Sequence, residues 1–172
     1  MTRSYRIRPA RRRDAHGIAE VHVASWRHAY RGLLPDEYLD RLSVAEREAE
    51  HRARLADQEP GSGTLVVNLS GIVGFASFAR SRDEDATPQT GEVPAIYLHP
   101  DVIGTGAGRR LFEETVGALR EAGYERASLW VLEANEGARR FYERAGWRWD
   151  GSVSRHDFDC ANRPVVRYAV DL

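Results

Sequence analysis

Residues 91–110 read GEVPAIYLHPDVIGTGAGRR. An apolar run, Ala95-Ile96-Tyr97-Leu98, stops at His99-Pro100, and glycines then stand at every second position, Gly104, Gly106 and Gly108. Beyond them Leu111, Phe112, Thr115 and Leu119 recur at helical spacing. Strand, glycine loop and helix in that order aim successive backbone N–H groups, and the positive end of the helix, at an anion. Glycine suits such a loop because it tolerates positive φ and carries no Cβ to block a ligand. A dinucleotide fingerprint would need a third glycine at position 109, which is Arg; a P-loop would need a lysine, and the chain has none. Two readings remain: an anion cradle with G-x-G-x-G spacing, or a turn that merely lets a helix pack on a sheet.

The rest of the chain sets the frame for that stretch. Its 172 residues suffice for one domain with a full core, and residues 1–172 are read as a single domain. A net charge of −1 gives no general attraction to nucleic acid or an anionic membrane. All 25 basic residues are Arg. Cys160 is the sole cysteine, so neither a disulfide framework nor a cysteine-rich metal site is expected. The first residues, MTRSYRIRPARRRD, lack the apolar core of a signal peptide. No run approaches the roughly 18 apolar residues of a spanning helix. A cytoplasmic location is the resulting expectation.

Residues 4–8 alternate as a first strand, with Tyr5 and Ile7 on one face, stopped by Pro9. Asp14 is placed to cap a helix whose inner face is Ala15, Ile18, Ala19, His22, Trp26 and Ala29, with Gly32 after its end. Pro35 opens a second helix, apolar at Tyr38, Leu39 and Leu42 and mostly exposed over residues 46–57. Residues 64–69 and 72–79 form a β-hairpin across Ser70-Gly71. Residues 80–91 are polar and read as an exposed loop. The helix after the glycine loop ends at Gly123. Residues 127–132 are apolar apart from Ser128, as in a strand buried on both faces. Asn135 caps a helix with Ala138, Phe141, Tyr142 and Ala145 inside and Gly146 at its close. Residues 147–156 and 164–170 look like two last strands, joined by a turn holding Asp159 and Asn162. The order β-α-α-β-β-β-α-β-α-β-β describes an α/β domain: a mixed central sheet of about seven strands and about four helices. A parallel strand pair is expected within residues 92–156. Pro94 cannot donate to a sheet ladder, so the central strand should bulge or lose its neighbour there.

A second motif narrows the reading. LWVLEANEGARRFYERAGW resembles the second signature of the GNAT superfamily of N-acetyltransferases, a strand followed by N-x-x-A-x-x-F-Y-x-x-x-G-[FW]. Asn135, Ala138, Phe141, Tyr142, Gly146 and Trp147 match. The same family's first signature, [QR]-x-x-G-x-[GA], falls on residues 103–108; Gly106 and Gly108 match and Ile103 departs. The opening segment also looks like the start of many bacterial members, so the resemblance covers essentially the whole chain.

Certain features follow from that resemblance. Acetyl-CoA, the acyl donor, is expected in a V-shaped gap between two splayed parallel strands. Its pantetheine arm would run along Tyr97, Leu98 and His99. Its pyrophosphate would sit on the backbone of Gly104, Thr105, Gly106, Ala107, Gly108 and Arg109. An amine would enter opposite and attack the thioester directly. The Leu98 N–H would receive the carbonyl oxygen. Tyr142 matches the position of the general acid, although its spacing equally suits a core aromatic. Glu92 stands where many members carry a glutamate and is the candidate base, or else an exposed strand-end carboxylate. His99 and His156 are further base candidates, whereas His22 reads as a packed core residue. Asn135 would touch the donor, cap its helix, or do both. One of Arg109, Arg110, Arg139 and Arg140 would meet the 3′-phosphate. Trp26 and Tyr30, one turn apart, would wall the acceptor site or sit in the core. No H-E-x-x-H or G-x-S-x-G motif suggests a metalloprotease or a hydrolase. The expected function is acetyl transfer to a small-molecule or peptide amine, with no nucleic-acid or membrane partner. The alternative is an acyl-CoA binding or sensing module without catalysis. The late strands leave room for a homodimer.

Overall fold

Strand β4 (Thr90–Leu98) is where the sheet divides. In this computed structural model, which describes residues 5–158 and 161–172, seven strands form one sheet in the order β1-β2-β3-β4-β5-β7-β6. The others are β1 (Arg6–Pro9), β2 (Gly63–Asn68), β3 (Ile72–Arg80), β5 (Arg126–Leu132), β6 (Arg148–Asp157) and β7 (Asn162–Asp171). Every neighbouring pair is antiparallel except β4–β5. That parallel pairing lasts for three residues, Thr90 to Glu92 against Arg126 to Ser128, and then stops. Both strands run on, and a gap opens between them.

Pro94 marks the place. Across β3, Ser77 faces Ala95 while Ala79 faces Glu92, so β4 carries one extra residue at Val93-Pro94. An extra residue on one strand of an antiparallel pair is a β-bulge; it bends that strand, and a missing N–H at the bulge leaves no donor stranded. The expectation drawn from Pro94 therefore holds.

Five α-helices cover the sheet: α1 (Ala15–Ala29), α2 (Asp36–Arg41), α3 (Val44–Ala56), α4 (Ala107–Glu121) and α5 (Glu136–Arg144). About four were expected. The segment read as one helix after Pro35 breaks at Leu42-Ser43, where both residues turn extended. Ser43 then caps α3 by accepting the Glu46 N–H, and Arg27 donates to the freed carbonyls of Leu39, Asp40 and Leu42.

Strand alternation sorts the core into two layers. Val67 and Ala76 pack with Ala107 and Leu111 of α4, whereas their neighbours Val66 and Phe75 pack with Ile18 and Val21 of α1. Residues of β5 do the same. Ala127, Leu129 and Val131 join Phe112, Tyr142 and Trp147, while Leu132 turns toward Leu34, Leu39 and Phe158. Helix α4 approaches the sheet so closely that a Cβ on Gly91 would lie 2.6 Å from Leu119 and 2.9 Å from the Tyr124 ring.

Smaller corrections follow from contacts between distant residues. Asp14 does not cap α1; its carboxylate takes two hydrogen bonds from Arg8, at 2.7 and 2.9 Å, and one from the Arg11 N–H. Pro9 ends β1 inside the ladder, facing Leu65, on an edge strand where a missing donor costs nothing. Ala29 is exposed, while Val21, Val23 and Ser25 are buried because α1 lies between the sheet and α3. Asn162 belongs to β7, not to the preceding turn. Ser4, Asp159 and Cys160 lie outside the described residues.

Candidate active site

Where β4 and β5 part, a cleft of about 870 Å³ runs through the domain. Its walls include Trp26, Tyr30, Glu92, Tyr97, Leu98, Asn135 and Tyr142, which come from α1, β4 and the start and body of α5. The structure thus brings together candidates separated by up to 130 positions, Trp26 to His156. A second cavity of about 820 Å³ lies against it, lined in part by His22, Trp26, His51, Phe75, Glu92 and Tyr97. Cleft and cavity share Trp26, Glu92 and Tyr97, so these stand at the junction.

Backbone dominates the end of the cleft beside the glycine loop. Gly104 and Gly106 take positive φ of 79° and 88°, in the left-handed region where glycine is at ease. Gly106 is the residue from which α4 departs, so the first free N–H groups of that helix face out beside the loop. Thr105 closes the turn by donating its hydroxyl to the Val102 carbonyl at 2.6 Å. Gly108 is different: it is helical, and a Cβ there would make only ordinary contacts, 3.7 Å to Leu98 and 3.8 Å to Phe141. The departing residue Ile103 is exposed at the rim of the cleft. On β4, the His99 N–H bonds the Val73 carbonyl of β3. Successive N–H groups along a strand point to opposite edges, so that of Leu98 faces the side that β5 has left.

The four arginines near this end differ. Arg109 pairs with Glu113 and Arg140 with Glu136 along their own helices. Arg139 donates to the Tyr168 hydroxyl and the Glu133 carbonyl. Arg110 has no ion pair or side-chain hydrogen bond among the described residues. Asn135 accepts the Ala138 N–H and so caps α5, as expected, while also bordering the cleft.

Tyr142 is buried against Phe112, Phe141 and Tyr168 at ring separations of 5.5 to 6.2 Å. Burial pushes its hydroxyl well above the usual phenol range, and nearby Tyr97 adds to the rise. Among the described residues its hydroxyl has no hydrogen-bond partner. The ring packs in the core, and the residue also borders the cleft. Tyr30 and Tyr97 are held protonated chiefly by burial as well.

Glu92 is buried, not an exposed strand-end group. Burial raises its pKa, the Arg82 guanidinium pulls it down, and Asp83 adds a smaller upward push. His22 is hydrogen-bonded to His51, ring nitrogen to ring nitrogen at 3.0 Å, and stacks on Tyr97. Burial lowers the pair to about 3 and about 4, so both rings are neutral near pH 7. His22 is packed, as read, but it also faces the second cavity. His156 borders the cleft beside Phe158, whereas His99 accepts the Asp101 N–H and supports the turn before the glycine loop.

Residues 81–89 form a strap along this site. Sequence reading took it for an exposed loop, yet Ser81 is buried and Asp83 is withdrawn. Arg167 of β7 is the cause: it bonds Asp83, Asp85 and Asp150 and lies over the Trp130 ring. Trp130 Nε1 donates to Asp83 at 2.9 Å. These residues, with Arg82 and His51, escaped the sequence reading. The one usable signal was Arg167 itself, a lone charge inside the apolar run PVVRYAV. Among the described residues no group of three or more His, Cys, Asp or Glu side chains is placed to hold a metal ion. No helix is long and apolar enough to cross a membrane.

Comparison with known proteins agrees with this geometry. A family model described as the acetyltransferase (GNAT) family matches residues 16–147, more than half of the chain. The uncharacterized N-acetyltransferase YuaI of Bacillus subtilis is 35% identical over 135 residues, covering 75% of this chain and 72% of YuaI. Mycothiol acetyltransferase of Propionibacterium freudenreichii is 41% identical over 133 residues, which are 76% of this chain and 38% of that longer protein. A GCN5-related N-acetyltransferase from Rhodopseudomonas palustris superimposes with a TM-score of 0.78 at 22% identity, covering 100% of this chain and 98% of that one. An acetyltransferase from Salmonella typhimurium, solved with acetyl-CoA, gives 0.72 at 23% identity, covering 98% and 94%. The structural likenesses carry the fold and the sequence matches carry the kinship: this chain belongs to the acetyltransferase (GNAT) family.

Proposed function

We propose that the protein transfers an acetyl group from acetyl-CoA to a primary amine by direct attack in a ternary complex. The observation that carries this is the opened β4 edge, with Tyr142 on one side of the cleft and Glu92 at its junction with the second cavity. Bound acetyl-CoA supplies an activated thioester. The chain's residues fit such a donor. The left-handed glycines and the start of α4 offer N–H groups to a diphosphate, and the freed edge of β4 offers N–H groups to an extended amide-bearing arm.

Each chemical task has a resident group. Most alkylamines are protonated at neutral pH, so Glu92 takes a proton from the acceptor nitrogen before or as it bonds to carbon. Burial makes Glu92 a better base than a surface carboxylate. The Leu98 N–H holds the carbonyl oxygen as charge builds on it. Tyr142 gives its proton to the sulfur as the carbon–sulfur bond breaks and regains one from solvent. The burial that keeps this phenol neutral also raises the proton affinity of a thiolate beside it.

The test is thiol release from acetyl-CoA over a panel of primary amines. Turnover with at least one amine is expected. Binding of acetyl-CoA with no turnover on any amine would favour a sensing module. The presence of both Tyr142 and Glu92 in the site supports the enzyme.

A further inference from the structure

Cleft and cavity share a buried carboxylate, Glu92, whose partner is not buried with it. The Glu92 side chain is 11% exposed and that of Arg82 is 85% exposed. One side-chain contact joins them, from Arg82 Nε to Glu92 Oε1 at 3.2 Å, and the Arg82 backbone also hydrogen-bonds the carboxylate. The other buried carboxylate among the described residues, Asp14, is held differently, by a two-pronged grip from Arg8 with both side chains withdrawn from water. Asp83, beside Arg82 in the chain, is also well held by Trp130, Ser128 and Arg167.

Magnitudes separate these cases. An exposed single-point ion pair is worth about 0–1 kcal/mol, so Arg82 is cheap to remove. Leaving a buried carboxylate with no cation is far more costly. Glu92 therefore resists vacancy and tolerates exchange of one cation for another. The strap does not need Arg82 to keep its shape. Ser81 N–H bonds the Thr90 carbonyl at 2.9 Å, and Asp83 and Asp85 are clamped by Arg167. The Arg82 side chain is free to swing while the strap stays in place.

We infer that Arg82 is a placeholder for the acceptor: its guanidinium holds Glu92 in the free protein and gives way to the ammonium of a primary amine on an apolar stem. The stem's chemistry follows from the adjoining wall, where Trp26, Phe75, Tyr97 and the uncharged His22–His51 pair face the cavity. The ammonium then passes one proton to Glu92, leaving a neutral amine and a neutral carboxylic acid. The remaining surroundings favour that transfer. Across β4, Glu92 faces Ala79 on β3 and Ser128 on β5, neither charged. Once the Arg82 side chain has left, Asp83 is the strap charge acting on Glu92, and Arg54, Asp57, Glu59 and Arg80 also line the cavity. Only the final use of the neutral amine rests on the acetyl transfer proposed above; the exchange itself is a binding event.

Two measurements on the CoA-loaded protein test it. Carbon-detected NMR follows the Glu92 carboxyl through a pH titration, and calorimetry follows phenethylamine binding. Arg82→Gln is expected to move the Glu92 midpoint upward and to tighten phenethylamine by about two- to fivefold, the worth of an exposed pair. Arg82→Lys, which restores a cation, should return both toward wild type. An unmoved midpoint, equal or weaker binding in Arg82→Gln, or no binding to either protein would overturn the inference. If both shifts are seen while wild type releases no thiol with any amine, the exchange stands and the transfer reading falls.

Discussion

The two sides of the cleft are built on different principles. The proposed donor side is local and made of backbone: residues 98–108 supply a strand edge, a left-handed turn and a helix start within one stretch of chain. The proposed acceptor side is assembled from far apart: His22, His51, Arg82 and Asp83 line one cavity with Glu92, and Arg167 holds the strap from 84 residues beyond Asp83. A backbone cradle keeps its shape through many side-chain changes. A wall of side chains changes its preference with each substitution. One fold can thus keep its acyl donor while its acceptor varies.

The sharpest way to break this contrast lies at its boundary, where Tyr142 belongs to the core yet faces the cleft. Tyr142→Phe keeps the ring packing and removes the hydroxyl. It should lower kcat on the order of 10²-fold with little change in KM for acetyl-CoA, the usual scale of lost general acid catalysis. Steady-state kinetics at saturating amine checks this, and wild-type turnover would remove Tyr142 from the chemistry.

Next in size is a pure donor-side change. Gly106→Val forces a β-branched residue into φ of 88° with no steric neighbour to blame, since a Cβ there meets nothing within 4 Å. The strain, about 1–2 kcal/mol, should weaken CoA binding roughly tenfold and leave amine KM alone. Calorimetry with CoA decides; unchanged affinity would mean that the loop merely turns the chain.

The acceptor side should reveal itself through acid. His22 and His51 titrate at about 3 and about 4 when folded, below the ordinary 6.5. The unfolded chain therefore binds protons that the folded chain refuses, and stability falls as pH drops through about 6.5, levelling off only near the folded values. Between pH 7 and pH 5 the loss should be on the order of 4 kcal/mol, about 2 from each ring. Urea unfolding at the two pH values measures it, and His51→Gln should flatten the slope. The smallest effect concerns the strap. Arg167→Met loosens Asp83 and Asp85 and should raise amine KM by about threefold, within the range for partly exposed pairs, with KM for acetyl-CoA unmoved.

The same division decided what was readable. Gly106, Asn135 and the apolar run of residues 95–98 act through neighbours in sequence, so local rules found them. Pro94 disclosed the bulge because a missing donor is a property of one residue. Asp83 did not read as withdrawn, for its burial depends on a guanidinium supplied by β7. His51 sat in a charged helix with nothing nearby to mark it. One miss was avoidable: Ser43-Val44-Ala45-Glu46 has the spacing of a capping box, and it announces the helix start that was overlooked.

The clamp at Arg167 also has a consequence for the order of events during synthesis. The strap leaves the ribosome some eighty residues ahead of the arginine that fastens it. A growing chain can assemble the coenzyme cradle first, whereas the opposite wall waits for the closing strand to be threaded between its neighbours. The wall proposed to hold the amine therefore takes shape only once β7 has been made.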